Sequence, residues 1–187
     1  MLIGYAYTGS FCTISKSIEI MKKLADKGIE IIPIMSDNAY NIDTRFSKAE
    51  YVRNRIYEIC NKDIIHTIVD AEPLGPKIKL DALIIAPCTG NTLAKIANGI
   101  TDTPVCMAAK AHLRNNSPLI IALATNDALS ANLKNIATLL SRKNVYFAPM
   151  IQDDPTKKPH SLVADFDLIE NTLDYGVLGK QLTKIFI

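Results

Sequence analysis

Four short turns carry the residues that could do chemistry in this chain. They are Thr8-Gly9-Ser10, Ser36-Asp37-Asn38, Pro87-Cys88-Thr89-Gly90-Asn91-Thr92 and Ala124-Thr125-Asn126-Asp127. All four are rich in hydroxyls, amides and small residues. Such groups donate and accept hydrogen bonds without bringing charge, which suits a phosphate or the carbonyls and nitrogens of a planar ring. The third turn opens a helix, and the unpaired amides there carry partial positive charge. Gly90 would let the backbone approach something closely. An ordinary β-α connection has the same composition, so no single turn is diagnostic.

The elements that must position these turns follow from hydrophobic patterning. Leu2–Tyr7, Glu30–Met35, Ala82–Ile85, Leu119–Leu123 and Val145–Ala148 are short apolar runs, as expected of parallel strands buried on both faces. Pro87 is expected to stop the third ladder, and Val145–Ala148 to be the last strand. Ile64–Val69 is a further candidate strand. Between the runs, apolar residues recur at helical spacing: Ile14, Ile18, Met21 and Leu24; Ala49, Val52, Ile56 and Ile59; Leu133, Ile136, Ala137 and Leu140. Thr103–Asn116 reads as helix beyond Pro104, and Val163, Phe166, Ile169 and Leu173 as a closing helix. Alternation of strand and helix predicts a three-layer α/β fold, Rossmann-like, with a mostly parallel sheet and residues 1–187 in one domain. Ligands of such sheets sit beyond the carboxyl ends of the strands, where all four turns fall.

Composition excludes other classes. A net charge of +2 on 21 basic and 19 acidic residues sets up no field for nucleic acid. Mean hydropathy is +0.12 and no apolar run reaches the roughly 18 residues of a membrane span. The opening residues have no charged n-region and no cleavable apolar stretch, so a cytoplasmic chain is expected. Cys12, Cys60, Cys88 and Cys106 form no CxxC pair and no zinc spacing, so reduced thiols and no metal are expected. There is neither GxGxxG after the first strand nor GxxxxGK[ST].

Two of the turns resemble motifs of the flavoprotein family, the homo-oligomeric flavin-containing cysteine decarboxylases and their relatives. Gly9-Ser10-Phe11-Cys12 resembles the family's Gly-Ser flavin-phosphate loop. Ala86-Pro87-Cys88-Thr89-Gly90-Asn91-Thr92 resembles its Pro-Ala-Ser-Ala-Asn-Thr motif, with Cys88, Thr89 and Gly90 as variant positions, and the match continues through Leu93–Asp102. The resemblance implies FMN as cofactor. It places Gly9, Ser10, Ser36, Ala86, Pro87, Cys88, Asn91, Thr92 and Thr125 at the cofactor. It also implies a homo-oligomer.

Strings in the second half, Met107–Arg114, Ala124–Ser130 and Asp153–Ser161, are similar to one branch of the family. That branch implies oxidation of a dihydrodipicolinate-type precursor to dipicolinic acid in the mother cell of a sporulating bacterium. A partner protein would bring NAD(P). For a small dicarboxylate substrate the expected residues are Arg114, Lys158 and His160, with Lys110, His112 and Lys157 as further cations. The alternatives are an FMN-dependent decarboxylase, a flavin prenyltransferase, or a non-catalytic partner. The family's decarboxylases carry a histidine where Gly75–Leu80 has none, and its prenyltransferases carry Arg-Glu where Thr125-Asn126 stands. No catalytic acid or base is identified.

Overall fold

The computed structural model describes residues 1–187. The elements run β1 (Leu2–Tyr7), α1 (Phe11–Asp26), β2 (Glu30–Met35), α2 (Asp37–Asn41), α3 (Ala49–Cys60) and α4 (Ile68–Ala71). Then come β3 (Ala82–Cys88), α5 (Gly90–Ala97), α6 (Pro104–Leu113), β4 (Leu119–Thr125) and α7 (Leu133–Leu140). The chain closes with β5 (Val145–Phe147), β6 (Met150–Ile151), β7 (Leu162–Ala164) and α8 (Ile169–Val177).

The sheet has seven strands in the order β2-β1-β3-β4-β7-β6, with β5 beside the first half of β4. The pairs β1–β2, β1–β3, β3–β4 and β4–β5 are parallel. From β1 the chain crosses outward to β2, then returns to place β3 on the other side. The switch in direction therefore falls between β1 and β3, where a crevice opens at the strand ends. Each face of the sheet carries its own core. Leu83 and Ile85 pack under α4–α7, while Ala82, Ile84 and Ala86 pack under α1, α3 and α8. No helix is long and apolar enough to cross a membrane.

Four expectations are corrected. Ile64–Val69 is not a strand. Only Ile65 bridges to Ile34, and Thr67 then caps α4 by accepting from the Asp70 N–H at 3.1 Å. Pro87 does not end β3, because a proline that cannot donate can still accept. Its carbonyl is bonded, and the register shifts between Ile85 and Cys88. Val145–Phe147 is not the last strand, since β6 and β7 form an antiparallel pair and β7 runs antiparallel to the end of β4. Val163 lies in β7, not in the closing helix. Phe166 begins a 3-10 turn capped by Asp165, and α8 starts at Ile169.

Candidate functional site

Thr8 ties the crevice together. Its hydroxyl donates to the Pro87 carbonyl at 2.7 Å and accepts from the Thr89 N–H at 2.8 Å, and its own N–H reaches Pro87 at 3.2 Å. The side chain is 1 % exposed, so these bonds are made out of water. The turns after β1 and β3 are held as one unit.

Two cavities meet at that unit, sharing Gly9 and Thr89. The first, about 400 Å³, has no apolar side chain in its lining. Thr8, Ser36, Asp37, Asn38, Asn91, Thr92, Lys95, Asp102 and Thr103 complete it. The second, about 300 Å³, combines Ser10, Thr125 and Asn126 with Phe11, Phe46 and Val163, and carries Cys12, Asp153 and Lys158.

Both helices that point into the crevice leave donors free. In α1 the cap residue Ser10 makes no side-chain cap bond, and no acidic residue occupies the first turn. The Phe11 and Cys12 amides have no acceptor in the chain. The first turn of α5 also lacks an acid, though Thr89 caps it by accepting from the Thr92 N–H at 3.3 Å. Uncompensated helix N-termini of this kind favour an anion.

The cations are both paired. Lys95 holds Asp102 through both oxygens, at 2.8 and 2.9 Å, and this bond keeps the Asp102 carboxyl below its usual range. Lys158 holds Asp153 at 2.8 Å, which lowers the Asp153 carboxyl and raises the Lys158 ammonium. Neither cavity contains an arginine or a histidine.

Of the expected cofactor residues, Gly9, Ser10, Ser36, Asn91, Thr92 and Thr125 line the two cavities. Ala86, Pro87 and Cys88 do not. The Ala86 carbonyl accepts from Ser17 Oγ at 2.5 Å, the Pro87 carbonyl serves Thr8, and the Cys88 side chain is buried in the core. Burial pushes the Cys88 thiol far above the usual cysteine range, so it stays protonated. Gly90 approaches not a ligand but the protein itself. A Cβ there would sit 2.5 Å from Asn132 Nδ2, 2.6 Å from Thr125 Oγ1 and 2.8 Å from Asp127 Oδ1.

Of the expected substrate cations, only Lys158 reaches either of these two cavities. Antiparallel pairing of Thr125 with Leu162 brings the 152–161 loop back to the strand ends. His160 is exposed, and its carbonyl accepts from Leu129. Arg114 follows the end of α6, near the start of β4 and so at the opposite edge of the sheet. His112 is buried there, bonded to the Pro118 carbonyl at 2.8 Å. His66 stacks on Tyr40 with ring centroids 3.9 Å apart, outside both cavities.

Sequence reasoning did not single out Lys95, Phe46 or the Thr8 bridge. Lys95 was accessible, because it stands four residues after Asn91 and so shares its helix face. Phe46 gives no such signal, since it lies in the loop between α2 and α3 and only folding brings it to the cavity that Phe11 also lines.

The family described as Flavoprotein matches residues 1–170. The B subunit of dipicolinate synthase from Bacillus subtilis (strain 168) is 44% identical over 186 residues, 99% of this chain and 92% of that protein. The crystal structure of the dipicolinate synthase B subunit from Bacillus halodurans C superposes with a TM-score of 0.92 at 40% identity, over 100% of this chain and 95% of that one. A dodecameric FMN-dependent UbiX-like decarboxylase from Escherichia coli O157:H7 shares the fold, with a TM-score of 0.66 at 22% identity over 95% and 92% of the two chains.

Proposed function

Since the chain belongs to the flavoprotein family, a family of flavin-dependent enzymes, we propose that it is the B subunit of a dipicolinate synthase. It would act in the cytoplasm of a sporulating cell, as one flavoprotein-like domain, in oxidation of a dihydrodipicolinate-type precursor to dipicolinic acid. The observation that carries this reading is likeness along 186 residues, which includes the 153–161 loop as well as the strand-end turns.

The residues present fit FMN. Ser10, Ser36, Asn91 and Thr92, with the free amides of Phe11 and Cys12, are donors for a phosphate and for ring atoms. Phe11, Phe46 and Val163 give apolar surface that excludes water from one side of a planar ring. When bound, FMN supplies an acceptor for a hydride. Lys158 is the cation available to a substrate carboxylate, in exchange for Asp153. Aromatisation of the dihydro ring releases one hydride and one proton. Asp102 and Asp153 are both held as anions by lysines, which leaves Asp37 as the unpaired carboxylate of the lining.

That scarcity of acid-base groups favours a second reading, in which the chain presents substrate while the synthase's other component, its A subunit, performs the chemistry with NAD(P). Copies of the chain are expected to assemble, and Phe46, half exposed at the cavity, is surface that assembly would cover. The deciding experiment follows dipicolinate by ultraviolet absorbance with this chain, with the A subunit, and with both, each with and without FMN. Product that requires both chains and FMN is expected. Product from both chains without FMN would select the second reading, and full activity of the A subunit alone would reject a required role.

A further inference from the structure

A third cavity lies away from the strand ends, between α5, α6 and the residues after α7. Its volume is about 160 Å³. Cys106, Lys110 and Leu113 line it from a single face of α6, at spacings of four and three. Ile96 and Ile100 close it from the end of α5. Gly99, at φ +72°, makes the turn between them, with the Ile100 N–H reaching back to the Lys95 carbonyl at 2.9 Å. Arg142 stands at the rim.

Two properties set this cavity apart. Its floor is apolar, formed by the buried side chains of Ile96, Cys106 and Leu113. Cys106 is 1 % exposed, and burial raises its thiol above the usual range. Its rim carries two cations that are not neutralised. Lys110 and Arg142 take part in none of the eight ion pairs of the chain, and their side chains make no hydrogen bond to the protein. Lys95 and Lys158, in the strand-end cavities, are both paired.

We propose that this cavity binds a compact organic carboxylate, its apolar body on Ile96, Ile100 and Leu113 and its carboxylate between Lys110 and Arg142. Arg142 can meet both carboxylate oxygens at once. Size limits the ligand. Pockets for drug-sized molecules start at roughly 300 Å³, and a water takes about 30 Å³, so this space holds a single small ring or a short branched chain. The site is separate from the crevice at the strand ends. Lys95 and Asp102 face that crevice, while their neighbours Ile96 and Thr101 face this one, so the Lys95–Asp102 ion pair stands in the wall between them. The proposal stands whether or not the crevice binds flavin.

Benzoate and its uncharged analogue benzyl alcohol test it on the full chain, by titration calorimetry and ligand-observed NMR. Benzoate is expected to bind saturably at one site, at least about tenfold more tightly than benzyl alcohol, and FMN should not displace it. The double variant Lys110→Ala/Arg142→Ala alters only exposed side chains and should weaken benzoate by about tenfold or more. Ile100→Glu, also at an exposed position, sets a carboxylate beside the same cations and should abolish binding. Absence of saturable binding to the unaltered chain would overturn the proposal. So would binding that survives the double variant unchanged, or displacement by FMN, either of which puts the probe elsewhere.

Discussion

The Thr8 hydroxyl donates to the Pro87 carbonyl between β1 and β3, where the strand order reverses, at 2.7 Å and out of water. The same oxygen accepts from Thr89. Neighbouring strands whose bonded residues stand 79 positions apart in sequence thus share one junction, and both strand-end cavities are built around it.

Thr8→Val keeps the shape of the side chain and removes both hydroxyl bonds. The Pro87 carbonyl and Thr89 amide then lose a buried partner, which costs about 1–3 kcal/mol. Urea denaturation should show this as a lower midpoint with an unchanged slope. A midpoint equal to that of the unaltered chain would mean that Thr8 does not hold the junction.

Gly90 and Gly9 should respond differently to alanine. At Gly90 the added methyl meets Asn132, Thr125 and Asp127 at 2.5–2.8 Å, inside a cluster where Asp127 accepts from Thr125 at 2.6 Å and from Asn132 at 2.9 Å. Overpacking a well-filled site costs about 1–3 kcal/mol, so Gly90→Ala should melt at a lower temperature. At Gly9 the nearest atom is 3.7 Å away, an ordinary contact. Gly9→Ala should therefore melt like the parent, and any loss it shows should be in FMN titration. Equal melting of the two variants would contradict the geometry.

Asn91→Ala separates binding from folding. Asn91 is exposed, and its amide makes no hydrogen bond within the chain. Stability should not change, while FMN affinity should fall about fivefold to tenfold, as for one lost hydrogen bond of about 1 kcal/mol. Lys157→Ala, in the exposed 152–161 loop outside both cavities, should leave both quantities as they are. Identical FMN titrations for the two variants would remove Asn91 from the cofactor site.

His112 should make stability fall in mild acid. Burial lowers its pKa below the ordinary 6.5, opposed by the hydrogen bond to the Pro118 carbonyl. Near pH 6.5 the unfolded chain therefore binds the proton first. The contribution of neutral His112 is complete above that pH and is lost as the pH falls toward the folded value. Denaturation midpoints measured on both sides of pH 6.5 should fall less in His112→Gln, which keeps a donor for Pro118 and cannot titrate. Parallel pH profiles for the two proteins would exclude His112 as the source.

Much of the scaffold is set by local composition. Leu2–Tyr7 and Glu30–Met35 are strands with the bounds their apolar runs indicate, and both faces of those strands are covered. A parallel strand buried on both sides must be apolar at every position, so its sequence announces it. The polar turns are also legible, because strand ends are where a buried run meets water. Val163 shows where such reading stops. Spacings of three and four from Val163 to Leu173 suit a helix, yet Val163 pairs with Ala124, since a short apolar stretch fits either period and a sheet edge was available.

What the turns do was decided by the fold. Strand order put the reversal between β1 and β3, and that order depends on long-range pairing that no local pattern encodes. Register and side-chain direction then divided one motif between two tasks. Cys88 and Gly90 turn into the protein, while Asn91 and Thr92 turn to the cavity. Lys158 and Phe46 arrive from distant loops, and Arg114 is carried to the far edge by the length of α6. Residue type follows from whether a position is buried, which is local. Which buried group faces which neighbour depends on the packing of the whole chain, and the tertiary structure alone fixes it.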